Sequence, residues 1–259
     1  MLLLTDEQWD WLAARVPDAP VSPKGGRPAI NKRDALRGIF WILDNSAKWK
    51  SLPRAFGSKS AVHRWFTMWV RAGVFASLMR DAGELIEARG GFRLYECFID
   101  GTFSNARGGG DGIGLTKAGN GVKIMVLVDA RGLPVAVTTG SASPHESTLV
   151  QGLFDFMLSR DTPTRIIGDK AYDSDALDED LDSECIEMIA PHRRNRTQEN
   201  KTQVGRPLRR YKRRWKVERT IAWLQNFRRL CIRYEKSTML FQGFLHLSCS
   251  IILLKQVLG

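Results

Sequence analysis

The sequence predicts a mixed α/β protein, helical in its first third and then built around a sheet closed by two long helices. Three observations lead there. Apolar residues recur at helical spacing up to about residue 90, strand-like runs bounded by Gly and Asp fill residues 93–190, and helical spacing returns after Pro207. The 259 residues suffice for one large domain with a smaller appendage, and the change of pattern divides them into 1–90 and 91–259.

Taken in order, Thr5 before Asp6, Glu7 and Gln8 signals a helix start with Gln8 in the capping-box position, and Leu4, Trp9, Trp11 and Leu12 supply its apolar side chains. Pro17–Pro28, with Pro20, Pro23, Gly25 and Gly26, reads as a linker. From Lys32 a second helix presents Ala35, Leu36, Ile39, Phe40 and Leu43. A short element, Trp49 to Ala55, is broken by Gly57. Ser58 or Ser60 can then cap a helix carrying Val62, Trp65, Phe66, Trp69 and Val70, with Lys59, His63, Arg64 and Arg71 elsewhere around it. Two short helices about a glycine-containing turn, the second partly basic, fit either a helix-turn-helix-like unit or an ordinary bundle with an aromatic core.

Beyond residue 90, Arg93–Ile99 reads as a strand running into Asp100-Gly101, a good turn dipeptide. Gly108–Gly121 is a glycine-rich loop. Because it precedes a strand and opens no helix, it is not a nucleotide-binding turn, though Lys117 and Lys123 suit a mobile substrate loop. Val122–Val128 and Leu133–Thr139 continue an antiparallel meander across the turn Asp129–Gly132. Ser147–Leu158 has helical spacing, and His145-Glu146 either forms its polar start, the plainer reading, or lies near the functional site. Thr164–Gly168 is a fourth strand ending in Asp169, 173–184 an acidic solvated helix and Cys185–Ala190 a fifth strand. Helices over roughly Pro207–Tyr234 and Ser237–Leu258 finish the chain. This order fits a ribonuclease-H-like mixed sheet with an N-terminal helical, helix-turn-helix-like domain.

The net charge of +11 favours a polyanionic partner, nucleic acid or an acidic membrane surface. It is concentrated: Arg193–Lys236 holds 16 Lys and Arg against 3 acids, so the rest of the chain is close to neutral. That pattern points to phosphate. Cys97, Cys185, Cys231 and Cys249 lie far apart, as expected of reduced thiols in a cytosolic protein and not of a zinc site. The N-terminus lacks the flanks of a signal peptide. The apolar stretch Met239–Leu258 is interrupted by Gln242, His246, Ser248, Ser250 and Lys255, which favours a core helix over a membrane span.

Three acids stand where chemistry could converge. Asp100 follows the first strand, Asp169 the fourth and Glu218 lies in a helix after the sheet. In the expected strand order the first and fourth strands are parallel neighbours, which brings the two aspartates together. A pair of Mg²⁺ ions requires such a set, because this hard cation prefers charged oxygen and an in-line displacement at phosphorus uses two metals about 3.5–4 Å apart. Each acid alone has a plainer reading: a turn at Asp100, a helix cap at Asp169, and a surface ion pair between Glu218 and Arg214. On an α-helix Tyr211, Arg214, Glu218 and Gln225 share one face, anchored by Trp215, Ile221 and Leu224, with Arg228 and Arg229 one turn further on. Such a face suits a scissile phosphate flanked by DNA backbone, and also suits an ordinary solvated basic helix.

At these residues the sequence resembles the DDE transposases of bacterial insertion sequences, specifically the insertion-sequence-five group. The likeness is carried by Phe98-Ile99-Asp100-Gly101-Thr102, by Ile167 to Asp173, by Tyr211 to Thr220 and by Trp223 to Leu230. Leu4 to Trp9 and Gly25-Gly26-Arg27-Pro28 add to it. The resemblance implies that Asp100, Asp169 and Glu218 form a catalytic triad binding two Mg²⁺ ions, Mn²⁺ being able to substitute. It implies that Tyr211 and Arg214 contact DNA. Gln225 stands where the family usually has lysine, so it either hydrogen-bonds DNA neutrally or yields the charged contact to Arg228 or Arg229. Lys212, Arg213 and Arg64 complete the expected DNA contacts. The implied activity is cleavage at terminal inverted repeats followed by attack of the freed 3′-hydroxyl on target DNA. The implied setting is the cytoplasm at the nucleoid, with no membrane partner and at least a homodimer on double-stranded DNA. A nuclease of the same fold that does not join strands, and a transposase-derived DNA-binding regulator, are the rival readings.

Overall fold

A computed structural model describes residues 4–18, 30–194, 196 and 207–259. The expected linker from Ala19 onward, with Gly25-Gly26-Arg27-Pro28, and most of the basic run 195–206 lie outside the described residues.

The N-terminal helices form as their caps dictate. Thr5 closes a full capping box on α1 (Asp6–Arg15): its hydroxyl accepts from the Gln8 amide at 3.2 Å and its own amide donates to Gln8 Oε1 at 3.0 Å. Asn31 caps α2 (Lys32–Asn45). The short element resolves into two 3₁₀ turns, Trp49–Ser51 and Arg54–Phe56, ended by Gly57 at φ 100°. Ser58 caps α3 (Lys59–Arg71), and Gly73 at φ 71° separates it from α4 (Val74–Ala88). The aromatic stripe of α3 is core: Trp65, Phe66 and Trp69 are buried.

The sheet contains β1 (Cys97–Ala106), β2 (Gly114–Thr116), β3 (Gly119–Val128), β4 (Pro134–Ser141), β5 (Arg165–Ile167), β6 (Glu187–Ile189) and β7 (Ile232–Arg233). Its main path runs β4-β3-β1-β5-β6, with β1 antiparallel to β3 and parallel to β5. β2 pairs with the start of β3, and β7 with the end of β1. Apolar residues alternate between two buried faces. Phe98, Val122, Ile124 and Val126 join the core of the N-terminal and C-terminal helices, while Ile99, Met125, Leu127 and Val135 pack under α5 (Gln151–Phe154) and α6 (Asp175–Ser183).

Four local expectations are corrected. β1 starts at Cys97, not Arg93, and does not turn at Asp100-Gly101: both residues sit inside the strand opposite Val126 and Met125, because pairing along the whole of β3 outweighs local turn preference. The glycine-rich segment contains a strand, β2, hairpinned onto β3. The helix expected over 147–158 shrinks to a 3₁₀ turn, Glu146–Leu149, and the four-residue α5, since Met157 bridges to Ala136 and the Leu158 amide donates to Val135. The helix expected over 207–234 is broken into a 3₁₀ segment Pro207–Arg213, α7 (Trp215–Asn226), α8 (Arg228–Cys231) and β7. Phe227 leaves helical geometry at ψ 88° to bury its ring edge-on against Phe40.

The last helix, α9 (Thr238–Val257), is long and apolar enough to cross a membrane, yet 72% of its most apolar window is buried inside the protein, against α4 and the Phe66 ring. One continuous apolar core thus joins α2, α3 and α4 to α7, α8, α9 and one face of the sheet.

Candidate active site

The parallel register places the two aspartates. Phe98 pairs with Ile167, so Asp100 and Asp169 each stand two residues beyond a matched pair, on tracks about 4.8 Å apart. β5 stops at Ile167 and β7 joins β1 only at Asn105, which leaves residues 99–104 of β1 with an unpaired edge among the described residues. Asp169 leaves the strand and caps the 3₁₀ turn Lys170–Tyr172, its Oδ1 accepting from the Ala171 amide at 2.7 Å. The turn needs glycine before it: a Cβ at Gly168 would lie 2.5 Å from the Tyr172 ring and 2.8 Å from Met188 Cε. Asp100 Oδ1 accepts from the Gly101 amide at 2.9 Å. Its carboxyl is held above the ordinary carboxylate value by burial. Arg214 opposes that shift and the charge of Asp169 adds to it.

Glu218 arrives on α7, which is fastened to the β3–β4 turn. Lys216 donates to the Ala130 carbonyl, Arg219 to that of Arg131, and the Thr220 hydroxyl to that of Gly132. Arg214, just before the helix, gathers the cluster. One of its nitrogens lies 2.7 Å from Asp100 Oδ2 and 3.5 Å from Glu218 Oε1, and the other donates to the Tyr211 hydroxyl at 3.1 Å. The oxygens of Asp100 and Glu218 can therefore be no farther apart than those two distances laid end to end. Gln225 Nε2 donates to Thr102 Oγ1 at 3.0 Å, tying α7 to β1 two residues past Asp100.

The other expected contacts divide. Lys212 and Arg228 are exposed, as is Arg64 on α3. Arg213 is held by the buried Glu96 at 2.6 Å. Arg229 is not on the surface at all: the break at Phe227 turns it inward, where its side chain is 2% exposed and paired with Glu235. Tyr211 lies in 3₁₀ geometry and not on α7, so its place beside Arg214 comes from their hydrogen bond and not from α-helical spacing. Lys123 belongs to β3, not to a mobile loop, and its ammonium donates to the Pro144 carbonyl at 2.8 Å.

Two further residues stand here: Glu146, for which a polar helix start is the plainer reading of the sequence, and Tyr172, to which the sequence assigns no role of its own. His145 does start the 3₁₀ turn, accepting from the Ser147 amide, but Glu146 beside it turns back to the sheet. A Cβ at Gly101 would stand 3.0 Å from the Glu146 Cδ. The Glu146 carboxyl is raised from its ordinary value by burial; Lys123, 3.8 Å away, opposes this, while Asp169 and Asp100 add to it. Tyr172 is fully buried, and its hydroxyl is pushed well above its ordinary value by burial and then by the neighbouring Glu146, Asp100 and Asp169 carboxylates, with Glu146 lying against it. The Pro144-His145-Glu146 sequence offered only the weak signal of a His beside an acid, five residues past the end of β4.

Among the described residues no three acidic, His or Cys side chains already stand at chelating distance from one point. Asp100 is tied to Arg214 and Glu146 to Lys123. The donor set nonetheless suits a hard divalent cation: carboxylates at one strand edge and a guanidinium between Asp100 and Glu218 where positive charge is required.

An aspartate in β1 and another just past the end of the parallel neighbour β5, faced by a glutamate on α7 across the same edge, make a candidate carboxylate-centred site in a strongly basic protein. Comparison with known proteins names the group. The family described as "Transposase DDE domain" matches residues 92–253, and that described as "Putative transposase of IS4/5 family" matches residues 4–79. The chain belongs to the DDE transposase family. Among its relatives are a protein of Burkholderia cepacia assigned as a transposase for insertion sequence element IS402, 34% identical over 146 residues, and one of Brucella ovis assigned to IS6501, 32% identical over 137 residues. These matches cover 52% and 51% of this chain and 64% and 98% of those proteins. The solved piggyBac transposase synaptic complex with hairpin DNA shares the fold at 12% identity and a TM-score of 0.52, over 97% of this chain and 73% of that one.

Proposed function

We propose that the protein is a DNA transposase with a ribonuclease-H-like catalytic domain, which binds the terminal inverted repeats of an insertion sequence and carries out cleavage and strand transfer. The observation that carries this reading is the meeting of Asp100 and Glu218 on one guanidinium, at the strand edge where Asp169 emerges from β5. Asp100, Asp169 and Glu218 would hold two Mg²⁺ ions. When bound, the cations supply Lewis acidity to both the attacking and the leaving oxygen of an in-line displacement.

The chain's own groups do the rest. Arg214, released from Asp100 as the site fills, is poised by Tyr211 to take a phosphate oxygen as a charge-assisted donor. Gln225 spends its amide on Thr102 and so positions α7, while exposed Arg228 and Lys212 are left to meet DNA backbone. On the N-terminal side, Trp49, Lys50, Lys59, His63, Arg64 and Arg71 surround an open concavity of about 980 Å³. Its basic rim seats backbone of the terminal repeat, with α2 and α3 acting as a helix-turn-helix-like unit of residues 1–90. Joining two ends needs two active sites, so the working form on DNA is a homodimer or larger, at the nucleoid.

The test uses purified protein and linear DNA ending in the inverted repeats that flank its gene. Cleavage and joining should occur in Mg²⁺, and Asp100→Asn, Asp169→Asn and Glu218→Gln should each abolish both while DNA binding persists. Near-normal cleavage by any one variant removes that residue from the triad. Cleavage with no joining of precut ends would make the protein a nuclease instead.

A further inference from the structure

Glu146 occupies a place that the triad leaves unexplained. Asp100 and Gly101 point to opposite faces of β1, as successive strand residues must. Arg214 and Glu218 approach from the face covered by α7, on which Asp100 lies. Glu146 approaches from the other face, where the missing side chain of Gly101 leaves room for its carboxyl and where any Cβ would crowd it at 3.0 Å. Both faces meet at the unpaired edge of β1, residues 99–104, beside which Asp169 emerges.

Two further observations separate this from a chance acidic neighbour. The Tyr172 hydroxyl is wholly buried against the Glu146 carboxyl and faces Asp100 and Asp169 as well, so it anchors Glu146 on the side of those two acids. The only cation near Glu146 among the described ion pairs is Lys123 at 3.8 Å, a long contact, and the Lys123 ammonium is also held by the Pro144 carbonyl. The Glu146 carboxylate is thus partly buried and loosely compensated, at 22% exposure against 56% for Glu218.

We infer that Glu146 is a fourth carboxylate of the cation site, entering from the face of the sheet opposite Glu218 and completing the oxygen shell of an ion held by Asp100 and Asp169. This rests on the proposed reading of those two aspartates as cation ligands. An ion enclosed from both faces is fixed in position before DNA arrives, whereas one held only from the α7 side would depend on the more exposed Glu218.

The experiment is Mn²⁺ binding to the full chain by titration calorimetry, without DNA and without reference to turnover. Wild type, Glu146→Gln and Asp100→Asn are compared, and for each the Mn²⁺-induced rise in melting temperature is measured against its own metal-free value, so that a loss of stability is not mistaken for a loss of binding. Both variants should bind Mn²⁺ at least about tenfold more weakly and lose most of the thermal rise. If Asp100→Asn loses binding and Glu146→Gln keeps it, the assignment of Glu146 is overturned and the aspartate site stands. If neither loses binding, both fall together.

Discussion

Arg229 carries the sharpest disagreement between what its neighbourhood in the sequence suggests and where the fold puts it. Its Nε and Nη2 donate to Glu235 Oε1 at 3.0 and 2.5 Å, its Nη1 donates to the Ala47 carbonyl at 2.8 Å, and its guanidinium lies 4.7 Å from the Tyr234 ring centre. The paired side chains are 2% and 3% exposed. Arg229→Ala leaves the Glu235 charge buried without its partner, and Glu235→Gln does the same to Arg229, which costs about 3–5 kcal/mol. For a chain of this size each kcal/mol moves the melting temperature by about 2–4 °C, so either single variant should melt roughly 6–20 °C lower. Arg229→Met with Glu235→Leu removes both charges together and should recover most of that loss. Thermal and urea unfolding, run beside DNA binding across a salt series, give the answer. Arg228→Ala is the control, since it should leave stability alone and reduce the slope of log affinity against log salt by about 1. If Arg229→Ala melts with the wild type and instead weakens DNA binding as Arg228→Ala does, the buried pair is wrong.

Other perturbations read other parts of the fold. Gly168→Ala should cost about 1–3 kcal/mol and displace Asp169, because its methyl group collides with the Tyr172 ring; an unfolding curve matching the wild type would mean the turn has slack. Gln225→Ala should cost under about 1 kcal/mol, the bond to Thr102 being exposed. The double variant with Thr102→Val should be no worse than the more damaging single one, whereas simple additivity would deny the contact. His246 is pushed down to about 4 by burial, with the charge of Arg80 adding to it. It therefore stays neutral in the fold while the unfolded chain takes up a proton, so its contribution is intact above about pH 6.5 and is lost as the pH falls from there towards 4. His246→Asn should flatten that limb of the stability profile, and parallel profiles would exonerate this residue.

Much of the plan was legible in the sequence because it was written in local physics. The Thr5–Gln8 box, the Ser58 cap and the apolar β-branched run of β3 need only neighbours to act, and all appear where expected. The neighbouring parallel strands carrying Asp100 and Asp169 followed from element order alone. What failed was decided at long range. Asp100-Gly101 has turn chemistry, but β3 lies alongside and draws both residues into the ladder. The run 207–234 has unbroken helical character, yet burying Phe227 and Arg229 takes a bend that no pattern within the run announces. Glu146 could be placed near the site from the sequence but not singled out, because its neighbours Gly101, Lys123 and Tyr172 are each more than twenty residues away along the chain.

The stacking of Phe66 on Phe244, with ring centroids 4.2 Å apart, has a mechanical consequence. It locks α3 to α9, and α9 shares its core with α7, the helix that carries Glu218. On the proposed reading, a duplex gripped along the basic rim of α3 would therefore be measured against the scissile position through this shared core and not across a tether. The interval between the recognised bases and the cut becomes a property of core packing, and element ends with one base pair added or removed should be misaligned with the acids, not accommodated by a swinging domain.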